Sequence, residues 1–124
     1  MPPKTSCNMG SCSSAKPILR ERPLLNTAQV AGLRGLFKIL SNPTRLRLLH
    51  ALVRAGEMRV TDLAKAVGMK PQAVSNQLQR LVDRGILGSE RRGVEVRYRI
   101  VDPCVPDLLD RGLCLMEDAK GRKR

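Results

Sequence analysis

The chain of 124 residues contains no tryptophan, one phenylalanine, one tyrosine and one histidine. So thin a supply of aromatic rings argues against capture of single-stranded nucleic acid, which stacks its bases on exposed ring faces. A lone imidazole excludes the His-rich ligand sets that nickel and cobalt call for. With no carboxylate pair in an expected cleft and no glycine loop to cradle phosphates, an enzyme is not expected either. Acidic residues are also scarce: 11 Asp and Glu stand against 23 Lys and Arg, a formal net charge of +12 and a pI near 10.6. A polyanion is the expected large partner, and with base stacking set aside that polyanion is duplex DNA. No apolar run approaches the ~18 residues of a membrane-spanning helix, and Met1-Pro2-Pro3-Lys4-Thr5 lacks the apolar core of a secretory signal. The expectation is a cytoplasmic protein with no membrane partner. In a reducing compartment its four cysteines serve as free thiols, metal ligands or redox sensors more readily than as structural staples.

What is present begins quietly. Residues 1–26 hold Pro2, Pro3, Pro17 and Pro23 with serine, glycine and asparagine between them, and read as a flexible arm. From Asn26 or Thr27, a suitable N-cap, Val30, Leu33, Leu36, Phe37 and Leu40 recur at helical spacing. Ser41-Asn42-Pro43 interrupts, and Pro43 opens a second helix with Leu46, Leu48, Leu49, Leu52 and Val53 on its apolar face, ending at Gly56. His50 lies among those leucines and reads as a core or interface histidine. A short helix over residues 60–67, capped by Thr61 or its neighbour and stopped by Gly68, is followed by a turn. Pro71 then opens a helix over residues 72–84 with Val74, Leu78, Leu81 and Val82 inward.

Two helices joined by so short a turn form a helix-turn-helix, whose second helix enters the major groove. After Gly85, Val94, Val96, Tyr98 and Ile100 alternate with Glu95, Arg97 and Arg99, a half-exposed strand, and Arg91-Arg92-Gly93 reads as the tip of a hairpin, the wing. Asp102-Pro103 starts a last helix through Leu108, Leu109, Leu113, Leu115 and Met116, before a basic tail. Residues 65–99 carry eight basic side chains and three acidic ones, so charge gathers where DNA would lie. The fold class expected is mainly α with a small β-hairpin, a winged helix-turn-helix over residues 27–118 between the arm and a basic tail of residues 119–124. A domain this small gains from burying surface against a second copy.

The run Leu40-Ser41-Asn42-Pro43-Thr44-Arg45-Leu46-Arg47-Leu48-Leu49, then Asp62-Leu63-Ala64, then Val74-Ser75-Asn76-Gln77-Leu78, and finally Gly93-Val94-Glu95-Val96-Arg97-Tyr98, match one known pattern in order and spacing. Residues 36–100 resemble the ArsR/SmtB family of bacterial metal-sensing repressors. The resemblance implies a homodimer joined through its first and last helices, with one recognition helix per protomer in successive major grooves of an inverted-repeat operator. Gln72, Ser75, Asn76 and Gln79 are then expected at base edges or nearby phosphates, and Lys70, Arg80, Arg91, Arg92 and Arg97 on the phosphate backbone. Gln77, where the family more often has histidine, is included among the DNA contacts.

The thiols stand in two pairs. Cys104 and Cys114 lie ten residues apart on the last helix, about 15 Å and 280° on an ideal helix, so one protomer cannot close a mononuclear site with both. A two-fold dimer can, by setting Cys104 of one chain against Cys114 of the other. In the family's zinc sensors the last helix supplies Asp and His from one chain and His and an acidic residue from its partner. Here Asp102 with Cys104, and Cys114 with Glu117, match those halves with cysteine for each histidine, at an interval one residue shorter. Cys7 and Cys12, with Met9 and Gly10 between them, sit on an arm long enough to reach either last helix.

Other family members pair arm thiols with cysteines of the first helix-turn-helix helix, but Met58-Arg59-Val60-Thr61-Asp62 has none. The expected inducer site is therefore built from Cys104, Cys114 or both, supplemented by Cys7 and Cys12, with Asp102 and Glu117 as lesser candidates. Such sulfur ligation selects cadmium, lead, mercury, arsenite or Cu(I), with zinc admitted by four sulfurs. Three readings compete: closure of the same cysteines by oxidation or persulfidation, a basic module that coats DNA without sequence preference around a structural thiol site, and simple burial of Cys104 and Cys114 as small hydrophobes.

Overall fold

Each helix start is written in short polar side chains and prolines. In the computed structural model, which describes residues 16–121, Asn26 caps the first helix, α1 (Thr27–Leu40), through a reciprocal pair. Gln29 N donates to Asn26 Oδ1 at 2.8 Å, and Asn26 N donates to Gln29 Oε1 at 3.0 Å. Asn42 caps α2 (Pro43–Ala55) by accepting from Arg45 N at 3.0 Å, and Pro43 occupies the first turn, where its missing N–H costs nothing. Gly68 ends α3 (Val60–Val67) in the left-handed conformation, and Pro71 opens α4 (Pro71–Asp83). The expected Thr61 cap does not form: Arg59 is the residue before the helix and makes no side-chain cap. The only regular element described ahead of α1 is a single 3-10 turn at Leu19–Glu21.

A sheet of three antiparallel strands follows the order β1-β3-β2, with β1 at Met58–Arg59, β2 at Leu87–Arg92 and β3 at Glu95–Ile100. The hairpin connection is Gly93-Val94, with φ +65° at Gly93, a conformation glycine adopts without a Cβ penalty. The tip is thus two residues further along than Arg91-Arg92, which belong to β2. At the other end of the hairpin the chain runs so close that a Cβ on Gly88 would lie 2.8 Å from Val101 Cγ1.

Two compact units make up the chain: residues 18–102, and one that contains α5 (Cys104–Gly121). In the first, Leu48, Leu49 and Leu52 of α2, Leu63 of α3, and Val74, Leu78 and Leu81 of α4 are fully buried, with Ile86, Leu87 and Tyr98 closing the sheet side. Each such leucine contributes about 1.5–3 kcal/mol by leaving water. Of the apolar residues in α1, only Leu40 is buried; Val30, Leu33 and Phe37 stay 50, 43 and 50% exposed. Leu113, Leu115 and Met116 of α5 are likewise exposed. His50 is exposed on α2, so it is not a core residue of the protomer.

Candidate nucleic-acid interface and thiol positions

The turn between α3 and α4 sets the angle of the second helix. Gly68 N and Met69 N return to Lys65 O and Ala64 O at 3.3 and 3.0 Å, closing α3, and Lys70-Pro71 redirects the chain. Helix α4 then buries Val74, Leu78 and Leu81 and turns Gln72, Asn76, Gln79 and Arg80 outward, with Ser75 half-buried beside them. Two hydrogen bonds order this polar face: Gln72 Nε2 donates to Asn76 Oδ1 at 3.2 Å, and Gln79 Nε2 donates to Asp83 Oδ1 at 2.9 Å. Each amide keeps groups that can pair with a base edge. No side chain caps the start of α4, so the N–H groups of its first turn are available to a phosphate beside the exposed Lys70.

Gln77 is placed differently. It is half-buried, and its Oε1 accepts from Arg45 Nε at 2.8 Å, while Arg45 Nη1 donates to the carbonyl of Ile39 at 3.0 Å. One guanidinium therefore fastens the middle of the recognition helix to the end of α1. Sequence reasoning did not single out Arg45 for this role, because its partners lie 6 and 32 residues away.

Arg91, Arg92 and Arg97 are separated by the pleat. Register places Arg92 opposite Glu95, Arg97 opposite Glu90 and Arg59 opposite Arg97, all on one face, whereas Arg91 pairs with Val96 on the other. Arg92 Nη1 lies 3.0 Å from Glu57 Oε2 and its Nη2 3.2 Å from Glu90 Oε1. Arg97 Nη2 lies 3.2 Å from Glu95 Oε1 and its Nε 3.7 Å from Glu57 Oε2. Arg59 donates to Asp62 at 3.1 Å and to Glu95 at 3.0 Å. The hydrogen bond from Arg59 holds the Asp62 carboxyl below the usual aspartate range, and the two acids hold the guanidinium above its own. The segment that carries thiols in other members of the resembled family is occupied here by this ion pair.

Cys104 opens α5 and is disulfide-bonded. Cys114 is a half-buried thiol that donates to Asp118 Oδ2 at 3.9 Å. Asp102 is half-buried and Glu117 exposed. Cys7 and Cys12 lie outside the described residues, among which no three His, Cys, Asp or Glu side chains are grouped as metal ligands. The donor chemistry of this unit is sulfur and carboxylate, without imidazole.

A helix-turn-helix domain profile matches residues 40–89. The transcriptional regulator NmtR of Mycobacterium tuberculosis is 38% identical over 96 residues, 76% of this chain and 79% of that protein. Among solved structures, the AntR antimony-specific transcriptional repressor superposes with a TM-score of 0.75 at 59% identity, over 89% of this chain and 99% of that one. A homodimeric winged helix-turn-helix DNA-binding domain from Mycobacterium bovis gives 0.61 at 28% identity, over 80% and 93%. No helix among the described residues is long and apolar enough to cross a membrane.

Proposed function

The chain belongs to the ArsR/SmtB family of winged helix-turn-helix transcriptional regulators, DNA-binding proteins and not enzymes, and from that premise we propose a homodimeric repressor released from its operator by a thiophilic metal or metalloid ion. The observation that carries the DNA half is the α4 surface: a row of exposed amides on the second helix of a helix-turn-helix, beside an uncapped helix start. Gln72, Ser75, Asn76 and Gln79 address base edges, and Lys70, Arg80 and Arg91 address phosphates. The bare apolar faces of α1 and α5 support the dimer, as does the homodimeric M. bovis domain. Its two-fold axis then sets the half-site spacing.

For the inducer, Cys104 once its disulfide is reduced, Cys114, or both would hold the ion, supplemented by Cys7 and Cys12, with Asp102 and Glu117 as lesser candidates. The antimony specificity of the 59%-identical AntR favours a trivalent metalloid within the soft group that also holds arsenite, cadmium, lead, mercury, Cu(I) and zinc. Thiolates drawn from the arm and the last helices fix the dimer in a shape whose recognition helices no longer match the operator. A coupling of ~1–3 kcal/mol suffices for a switch, and operator DNA weakens ion binding by the same factor. Anaerobic titration of the reduced protein with antimonite, arsenite and the divalent soft ions tests this: release of operator by at least one ion supports the reading, and release by none rejects it. The disulfide at Cys104 favours a second reading, release by oxidation of the same thiols, in which an oxidant acts and no ion does.

A further inference from the structure

We infer that Glu57 is the positioning residue of the wing, and that Arg92 and Arg97 hold the wing in place instead of contacting DNA phosphates. The inference rests on the operator-binding reading and concerns which of its arginines meet the DNA.

Seven side chains of alternating sign run across one face of the sheet: Asp62, Arg59, Glu95, Arg97, Glu57, Arg92 and Glu90. Every neighbouring pair in that order lies within 3.7 Å, and all but the Arg97–Glu57 contact within 3.2 Å. Four carboxylates face three guanidinium groups in this series, and Arg99, on the same face of β3, brings the face to neutrality, so the arginines there offer a phosphate no excess positive charge. An approaching phosphate has to displace a carboxylate from whichever of Arg59, Arg92 or Arg97 it takes. Arg91, on the opposite face of β2, belongs to no pair in this series.

Glu57 is the member that joins the two halves. It lies in the Gly56-Glu57 loop between α2 and β1, outside the hairpin, and grips a guanidinium on each of β2 and β3. Its backbone is fixed where Gly56, at φ +86°, closes α2 by a bond from Gly56 N to Leu52 O at 2.8 Å. The grip thus ties the hairpin to the end of α2, whose Leu48, Leu49 and Leu52 are buried in the core. Arg97 Nε is the one buried side-chain nitrogen or oxygen among the described residues without a hydrogen-bond partner, and its nearest recorded acid is Glu57. Without that carboxylate, the nitrogen has no counterpart for its desolvation. Glu57 and Arg97 side chains are each only about 30% exposed, which lifts that contact above the usual value of a fully solvated one, whereas the Arg92 side chain is 51% exposed.

Charge and position predict opposite signs for one substitution. If Glu57 acted only through its charge, Glu57→Ala would strengthen binding to every duplex. As the holder of the wing, it weakens binding to the correct sequence alone. The test uses the full-length reduced protein, a duplex that the wild type selects from a random-sequence pool, and a scrambled duplex of equal composition, over a series of NaCl concentrations.

Glu57→Ala is expected to lower affinity for the selected duplex about fivefold, the upper end for a half-exposed pair, and not to lower it for the scrambled one. Glu57→Gln, which keeps an acceptor oxygen, recovers part of the loss. Arg92→Gln and Arg97→Gln leave the slope of log K against log salt unchanged, whereas Arg91→Gln reduces it by about 0.9 for each phosphate lost. Tighter binding of Glu57→Ala to both duplexes overturns the inference, as does a slope reduced by Arg92→Gln or Arg97→Gln. If Glu57→Ala fails to fold, the two arginine slopes decide. Failure of the wild type to select any sequence rejects the operator reading, and this inference with it, before any variant is made.

Discussion

Replacing Phe37 by alanine tests the dimer at the ring that the protomer leaves half bare. Full burial of a phenylalanine covers about 150–250 Å², and Phe37 is 50% exposed on α1. A partner that covers the remainder removes about 100 Å² per protomer, worth about 2.5 kcal/mol at ~25 cal/mol per Å². Two-fold symmetry counts the residue twice, so Phe37→Ala costs the dimer about 5 kcal/mol, a rise in its dissociation constant of roughly 10³- to 10⁴-fold. The other half of the ring is covered within the protomer, and its loss lowers monomer stability by a smaller amount. Sedimentation equilibrium from nanomolar to micromolar concentrations, with urea unfolding at a fixed high concentration, separates the two effects. A dissociation constant that shifts less than tenfold, with the fold intact, refutes α1 as the interface.

Three further outcomes follow from the geometry. Gln77→Ala removes the acceptor of Arg45 and lowers the urea midpoint by the equivalent of about 1.5–3 kcal/mol, while Gln77→Glu retains most of it; equal loss in both variants argues against the bond. Gly88→Ala forces its Cβ against Val101 Cγ1 and costs about 1–3 kcal/mol in thermal unfolding, a cost that Val101→Ala removes; a neutral single variant contradicts the close approach. Because the Asp62 carboxyl is held below its ordinary range, its pairing with Arg59 stabilises the fold above that range and is lost as pH falls through the lowered value. Urea midpoints of wild type and Asp62→Asn therefore differ near neutrality and converge in acid, and a constant difference across the series rules this out.

The sequence marked most helix boundaries because local chemistry sets them. Asn26 with Gln29, Asn42 before Pro43, and Gly68 before Pro71 each act within four residues. What escaped is long-range. The two-residue strand Met58–Arg59 is too short to show alternation and exists only through pairing with Arg97 and Tyr98. The apolar stripe of α1 has the period of a core helix, yet most of it lies outside the protomer core, since periodicity reports that a face is apolar and not which chain covers it. Among the candidate DNA contacts, the outward α4 amides follow from helical spacing, while Gln77 also fits the polar set and turns to Arg45. Arg92 and Arg97 each pair with an acid two residues away on the same strand, Glu90 and Glu95, which alternation allows, but their shared partner Glu57 lies outside the hairpin and has no such spacing. Arg45 and Glu57 had no local signal at all.

Sulfur ligation of an ion and operator binding oppose one another in this repressor. The direct measurement is anaerobic titration of the reduced protein with antimonite, following thiolate absorption in the ultraviolet and operator anisotropy together, for wild type and Cys104→Ser. Stoichiometric absorption growth with operator release is expected in the wild type, with weaker ion binding when operator is present and loss of both signals in Cys104→Ser. Unchanged release in Cys104→Ser, or release that requires an oxidant, contradicts it.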